Sequence, residues 1–388
     1  TIAVHDIEIQ RRENDLVVGT FGRGIYIVDD YSPLRTQARD LGAFQLFAPR
    51  DPWLFIEGDV WGGVEKGSIG HAFFTAPNPE FGAVFRYYVK DGSKTKQQIR
   101  RAAEIAIENE GGDTPYPSWD ALRAEDRERG DALYILVRDA NGQLVRQISA
   151  KSGGGLHQTA WDLRLPAPDP VSIKASGSRP YWASDPAGPL ALPGLYSASL
   201  ALERDGIIKM VGEPQSFTVK ALDNSVEITD DRRALQDFQV KVAGLQRAVK
   251  GAVRSMSELD NRVAHVRAAL PVTLASSDAD LDAVGQLEAR LADLEVTLRG
   301  DRTRSTRNEP SPVSIASRVS SIYGTVVFSQ SRVGGNFKDS YAIAATEFEG
   351  ALSELRSIAQ DLNDLEAGLE EKGAPWTPGR IPTWSSAQ

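Results

Sequence analysis

Three glycines and an arginine fall close together in "GTFGRGIYIVDD", residues 19–30, and two aspartates end the stretch. Glycines spaced G-x-G-x-x-G between a strand and a helix cradle a phosphate on backbone N–H groups at the helix N-terminus. Here the order is Gly19, Gly22, Gly24, and the next residues, Ile25, Tyr26, Ile27 and Val28, are β-branched or aromatic. Such residues favour a strand over a helix. The stretch therefore reads as a tight turn between two strands, with glycine supplying positive φ. Asp29 and Asp30 would make a glycosidase carboxylate pair only if they shared a face, and neighbours on a strand point to opposite faces. They read instead as a strand end entering a loop. Arg23, in the glycine turn, could bind a carboxylate ligand; a structural contact is the competing reading.

The remaining chemistry is sparse. His5, His71, His157 and His265 stand at no metal-ligand spacing, and surface or hydrogen-bonded roles are their default. No G-x-S-x-G elbow, Walker loop, H-E-x-x-H or zinc pattern occurs. The absence of cysteine removes disulfides, thiolate metal sites and cysteine nucleophiles. No catalytic residue, metal or cofactor is therefore assigned. Among the loop aromatics Trp53, Trp61, Trp119, Tyr181 and Trp182, the pair Tyr181–Trp182 is the candidate platform for a glycan or peptide. The competing reading has it covering a domain interface.

A net charge of -9 argues against nucleic acid, which needs a basic surface, and disfavours anionic membranes. No apolar run is long enough to span a membrane. The opening "TIAVHDIEIQRREN" has no basic region followed by an apolar one, and the chain starts on Thr1. It is expected to begin inside a longer precursor.

Several kinds of element must position these residues, and the pattern is multidomain α+β. "HDIEIQ", "DLVVG" and "GIYIV" form an antiparallel meander with turns at "RREN" and "FGRG", too small to stand alone. Residues 1–43 hold it and a linker. Residues 44–222 are dense in short strands, with an Asn141-Gly142 hairpin turn, and suggest an immunoglobulin- or fibronectin-like β-sandwich. Trp161 is expected inside it and Asp162 in a turn. Residues 93–130 read as a helical insertion with Ile99, Ala102, Ala103, Ala106 and Ile107 on one side. Residues 166–192 read as a Pro-rich loop.

Residues 223–388 change to helical periodicity. Leu235, Val242, Val249, Met256, Val263 and Leu270 lie on one seam, ended by Pro271. A second helix is capped by Ser277 or Asp278, a third aligns Ile315, Val319, Ile322 and Val326, and a fourth carries Phe348, Leu355, Leu362 and Leu369. Four striped helices predict a four-helix bundle followed by a Trp/Pro-rich tail. No Glu-x-x-His pair suggests a di-metal site in it.

Two end motifs add a resemblance. "VHDIEIQRRENDLVVGTFGRGIYIVDDYSPLR" resembles the last blade of large bacterial β-propellers related to sortilin and the VPS10 domain. These carry BNR (Asp-box) repeats and are often labelled glycosyl hydrolases. The tail "GAPWTPGRIPTW" is similar to the ending of the same proteins. The run V-R-D-x-N-G-x-L-V-R, W-D-L-R, P-G-x-Y resembles an Ig-like accessory domain such as that of flagellar hook-capping proteins. The chain departs from the family in lacking the preceding blades and any S-x-D-x-G-x-T-W box. The resemblance implies a non-catalytic, structural or ligand-presenting C-terminal region that binds peptide, protein or glycan. The alternative is the accessory half of an exported glycoside hydrolase whose catalytic residues lie in the absent blades. It also implies a periplasmic or secreted location, with the remaining blades as partner in cis or as a separate chain. Unpaired strand edges in residues 1–30 allow a homo-oligomer as well. Trp376 and Trp384 are expected to pack back on the body.

Overall fold

Alternating apolar and polar residues build the first part of the chain, and apolar residues at spacings of three and four build the second. The computed structural model describes residues 2–36, 41–57, 72, 78–173, 186–222 and 231–386. It is mixed α+β with antiparallel sheets, several helices and no closed barrel among the described residues. The chain divides into two compact units, residues 1–166 with 191–224, and residues 167–190 with 225–388. Residues 167–173 and 186–190 of the Pro-rich stretch thus cluster with the helices.

The first unit opens with β1 (Val4–Gln10), β2 (Asp15–Thr20) and β3 (Ile25–Val28), an antiparallel sheet in that order. Its turns fall where the sequence puts them. Asn14, Gly22 and Gly24 all have positive φ, and the Thr20 N–H donates to the Gly24 carbonyl across the second turn. No helix follows Gly24, so the turn reading holds over the phosphate loop. A one-turn helix α1 (Ser32–Thr36) follows.

Next come β4 (Phe44–Leu46), β5 (Trp53–Leu54) and β6 (Ala83–Val89), the insertion helices α2 (Lys96–Asn109) and α3 (Trp119–Asp126), then β7 (Ala132–Asp139), β8 (Leu144–Ala150), β9 (Gly155–Trp161), β10 (Gly194–Arg204) and β11 (Ile207–Ala221). One sheet orders β5-β11-β10-β7-β8, antiparallel except for the short β11–β5 pair, and another orders β4-β6-β9. Alternate residues of β6, among them Phe85 and Tyr87, are fully buried. Phe85 meets Phe217 of β11 edge-on at 5.6 Å, and Trp161 of β9 meets Tyr196 of β10 at 5.3 Å, so aromatic rings join the two sheets. Burial pushes the Tyr196 hydroxyl up to about 12, with the Asp139 charge adding to it, against its hydrogen bond to the Leu192 carbonyl. Trp161 lies inside, and Asp162 accepts from the Arg164 N–H in a turn, as the sequence suggests. Gly82, at φ +95°, sits so close that an added Cβ would lie 2.0 Å from the Trp161 carbonyl oxygen. The Asn141-Gly142 turn joins β7 to β8 with Gly142 at φ +78°.

The second unit is built on α4 (Arg232–Ala269), α5 (Asp278–Arg299), α6 (Arg302–Ser305), α7 (Ile315–Val326) and α8 (Gly335–Glu371). The four long helices share one apolar core that includes Val249, Met256, Val263, Leu287, Leu294, Val319, Phe348, Leu355 and Leu362. Ser277 caps α5. α4 ends at Ala269, just before Pro271 as the sequence suggests, and Pro271 sits in a one-turn 3-10 helix, Leu270–Val272; proline suits a first turn because its missing N–H has no partner there. Polar residues interrupt the seam: the buried Gln239 donates to the Val326 carbonyl at 2.6 Å, and Gln246 donates to the Ser320 hydroxyl, pinning α4 to α7.

One expectation about an apolar surface is corrected. Trp376 and Trp384 are 61% and 84% exposed. The tail is fixed by polar groups instead: Arg380 pairs with Glu370 at 2.8 Å, the Trp376 indole N–H donates to the Arg380 carbonyl, and Thr383 donates to Glu370. The Arg380 N–H donates to the Thr377 carbonyl across a Pro378–Gly379 turn. The α2 stripe is likewise uncovered, with no buried residue on that helix. Arg100 binds the Glu125 carboxylate of α3 through two nitrogens, at 2.6 and 2.8 Å, and holds the insertion together through charge.

Candidate functional site

The residues with catalytic potential are placed in structural roles or apart. Among the described residues no group of three or more His, Asp or Glu could hold a metal ion. Asp30 is 3% exposed at φ +48° and accepts from the Arg86 guanidinium at 2.9 Å and from the Ser32 N–H and hydroxyl. Asp29 offers its backbone carbonyl to the same guanidinium. The pair is thus a joint between sheets, as its place at a strand end suggests. His5 stacks on Phe21, His157 bonds the Gly153 carbonyl and His265 the Asn261 carbonyl. Arg23 is exposed at the tip of the β2–β3 turn. Tyr181, Trp182, Trp61 and His71 lie outside the described residues. Trp53 lies near the Lys220 ammonium, and Trp119 packs edge-on against Tyr116.

The surface that stands out is the β1–β3 sheet. Residues paired across strands share a face. The register aligns Ile7 with Val18 and Tyr26, and Ile9 with Leu16 and Val28, so one face carries two rows of three apolar side chains. None of the six is buried; Ile7 is 54% exposed and Tyr26 47%. On the other face Val17 pairs with Ile27, and Gly19 with Ile25, while β1 contributes Asp6 and Glu8. Ile25 and Ile27 are 72% and 61% exposed. β3 is therefore apolar on both faces and β1 on one only. A strand reads that way when layers pack on both sides of it. Its uncovered state is an apolar patch of the kind that marks an interaction surface.

Polar anchors tie the sheet to neighbouring segments of the first unit. Besides Asp30–Arg86, the Arg50 guanidinium donates to the Glu13 carbonyl at 2.9 Å and lies 3.3 Å from the Asp15 carboxylate. Asp15 in turn accepts from the Asp30 N–H, and the Tyr31 N–H donates to the Asn14 carbonyl. Arg86 occupies an outward position of β6 between Phe85 and Tyr87. The sequence shows the alternation that turns it outward but not its partner 56 residues earlier. The free edge of β1 is blunted by a register shift between Val4 and Asp6 and by two carboxylates, the devices that protect edges from stray pairing. The arrangement leaves apolar side chains open to solvent on both faces of β3. No protein-family model matches the chain, and comparison with curated proteins and with solved structures returns no match.

Proposed function

We propose that this chain is the non-catalytic C-terminal region of a sortilin-like, BNR-type β-propeller protein. In this reading β1–β3 are closing strands of a blade. The five- and three-stranded sheets form an Ig-like sandwich, and the four long helices form a four-helix bundle. The region is exported and presents structure or ligand rather than carrying out a reaction. The observation that carries the proposal is β3, apolar on both faces and open on both, beside a β1 that is apolar on one. Neighbouring blades would supply a layer on each side. Completing the burial of each half-exposed Ile or Val is worth roughly 1 kcal/mol. Nine apolar positions across the two faces, Leu16 and Tyr26 among them, offset much of an association cost of about 4–15 kcal/mol. The resemblance of "GTFGRGIYIVDDYSPL" and of the tail to that family supports the same reading.

The test is co-expression with the upstream part of the precursor as a separate polypeptide. The chain is expected to co-purify with it. Replacing Ile25 and Ile27 together by Thr should abolish capture while the melting of the two units stays unchanged. Capture that ignores these substitutions, or a wild-type chain that captures nothing, overturns the reading.

A further inference from the structure

We propose that the helical unit carries a groove for an extended acidic polypeptide segment, lying along α4. Two cavities, of about 540 and 380 Å³, adjoin there and share Val253, Arg254 and Arg299 in their walls. The first runs on to Arg262 and the tail turn at Gly379, the second to Gln246 and α7. From Gln246 to Arg262 the groove follows α4 for about 24 Å at 1.5 Å per residue. That length accommodates roughly seven residues of extended chain.

Cations outnumber carboxylates among the residues that line the groove, and three of the cations have carboxylate partners, Asp169, Glu366 and Glu295. The chain has net charge -9, and among the described residues the groove walls hold Lys250, Arg254, Arg262 and Arg299 with one carboxylate, Glu258. Two of these cations are committed within the unit: Lys250 pairs with Asp169 at 2.6 Å, and Arg262 with the buried Glu366 at 2.5 Å. The other two are available. Among the described residues Arg254 has no hydrogen-bond or ion-pair partner. Arg299 has Glu295 at 3.4 Å, a half-exposed pair of little strength. A cation on the last turn of α5 is partly explained by the helix dipole. That account does not extend to Arg254, which lies in the middle of α4.

The floor between the cations is apolar, formed by Val249, Val253 and Ala316. Carboxylates facing Arg254 and Arg299, with small apolar side chains between them, match this alternation of charge and floor. An extended peptide places successive side chains on opposite sides and meets it naturally. A single-stranded nucleic acid fits less well, because among the described residues no aromatic ring lines the groove for a base to stack on. The inference stands apart from the reading of β1–β3 and uses none of its residues.

The test is fluorescence anisotropy with the full chain and a labelled peptide of about eight residues alternating Glu and Val. Arg254→Glu with Arg299→Glu should weaken binding by about ten-fold or more, and raising salt to about 0.5 M should weaken the wild type comparably. Arg254→Lys with Arg299→Lys should retain most of the affinity, and a Lys–Val peptide should not bind. Both arginines are surface residues, so unchanged thermal melting of the reversed variant accompanies the expected loss. Equal affinity in wild type and the Glu variant, no binding by wild type, or tighter Arg-dependent binding of a single-stranded oligonucleotide each overturns the proposal.

Discussion

Asp30 and Arg86 fix β1–β3 to β6 through one carboxylate and one guanidinium. Asp30 is almost fully buried and has only this cationic partner among the described residues. Removing the cation leaves a buried charge uncompensated. Arg86→Met is therefore expected to destabilise the first unit by about 3 kcal/mol. Urea denaturation followed by a probe within residues 4–161 checks it, and Asp30→Asn in the same background should recover part of the loss. A cost within experimental error would mean that the pair is solvated and the joint rests elsewhere. At this scale the sequence is legible where the cause is local. Positive φ at Gly22 and Gly24, and the inward position of Trp161, follow from residue type and neighbours. The Asp30–Arg86 pair and the Gln239 contact do not, because each joins positions far apart in the chain. Tyr181 and Trp182 lie outside the described residues, so that aromatic platform stays a reading of the sequence.

Among the elements, α5 shows how a terminus is held. Asp280, in its first turn, accepts from the Lys372 ammonium at 2.7 Å through both oxygens and from the Ser277 N–H and hydroxyl. The Lys372 and Ser277 bonds hold its carboxyl below the usual carboxylate value of 3.8. A depressed value in the folded state stabilises fully above pH 3.8 and is lost as pH falls through the folded value. Asp280→Ala is expected to cost about 1 kcal/mol at neutral pH, the size of a lost cap. It should also flatten the acid limb of the unfolding curve below pH 3.8. An unchanged acid limb would show that other carboxylates set it. Helices were readable because the apolar spacing of three and four persists for many turns. The tail was misread in its packing, and the stripe of α2 lies open too, for one physical reason: apolar periodicity reports which side chains would gain from burial, not whether a surface exists to bury them. Polar bonds through Arg380 and Arg100 hold both elements with their apolar groups exposed.

For the whole molecule, the central claim is that β1–β3 await two flanking layers of β-structure supplied by the rest of a propeller. The claim is strongest at β3, whose two faces are both apolar, and the sequence announced that much in the unbroken run Ile25–Val28. Which layers cover the sheet was not legible, because the covering atoms are not in this chain in the proposed reading. Backbone hydrogen exchange across residues 4–28 tests it most directly, with the chain alone and after addition of the upstream polypeptide. Protection of β3 is expected to be low in the chain alone and to rise by about ten-fold or more on addition, with Ile25 and Ile27 amides leading. Full protection of the same amides in a dilute, monomeric chain, unchanged by the upstream polypeptide, would contradict it.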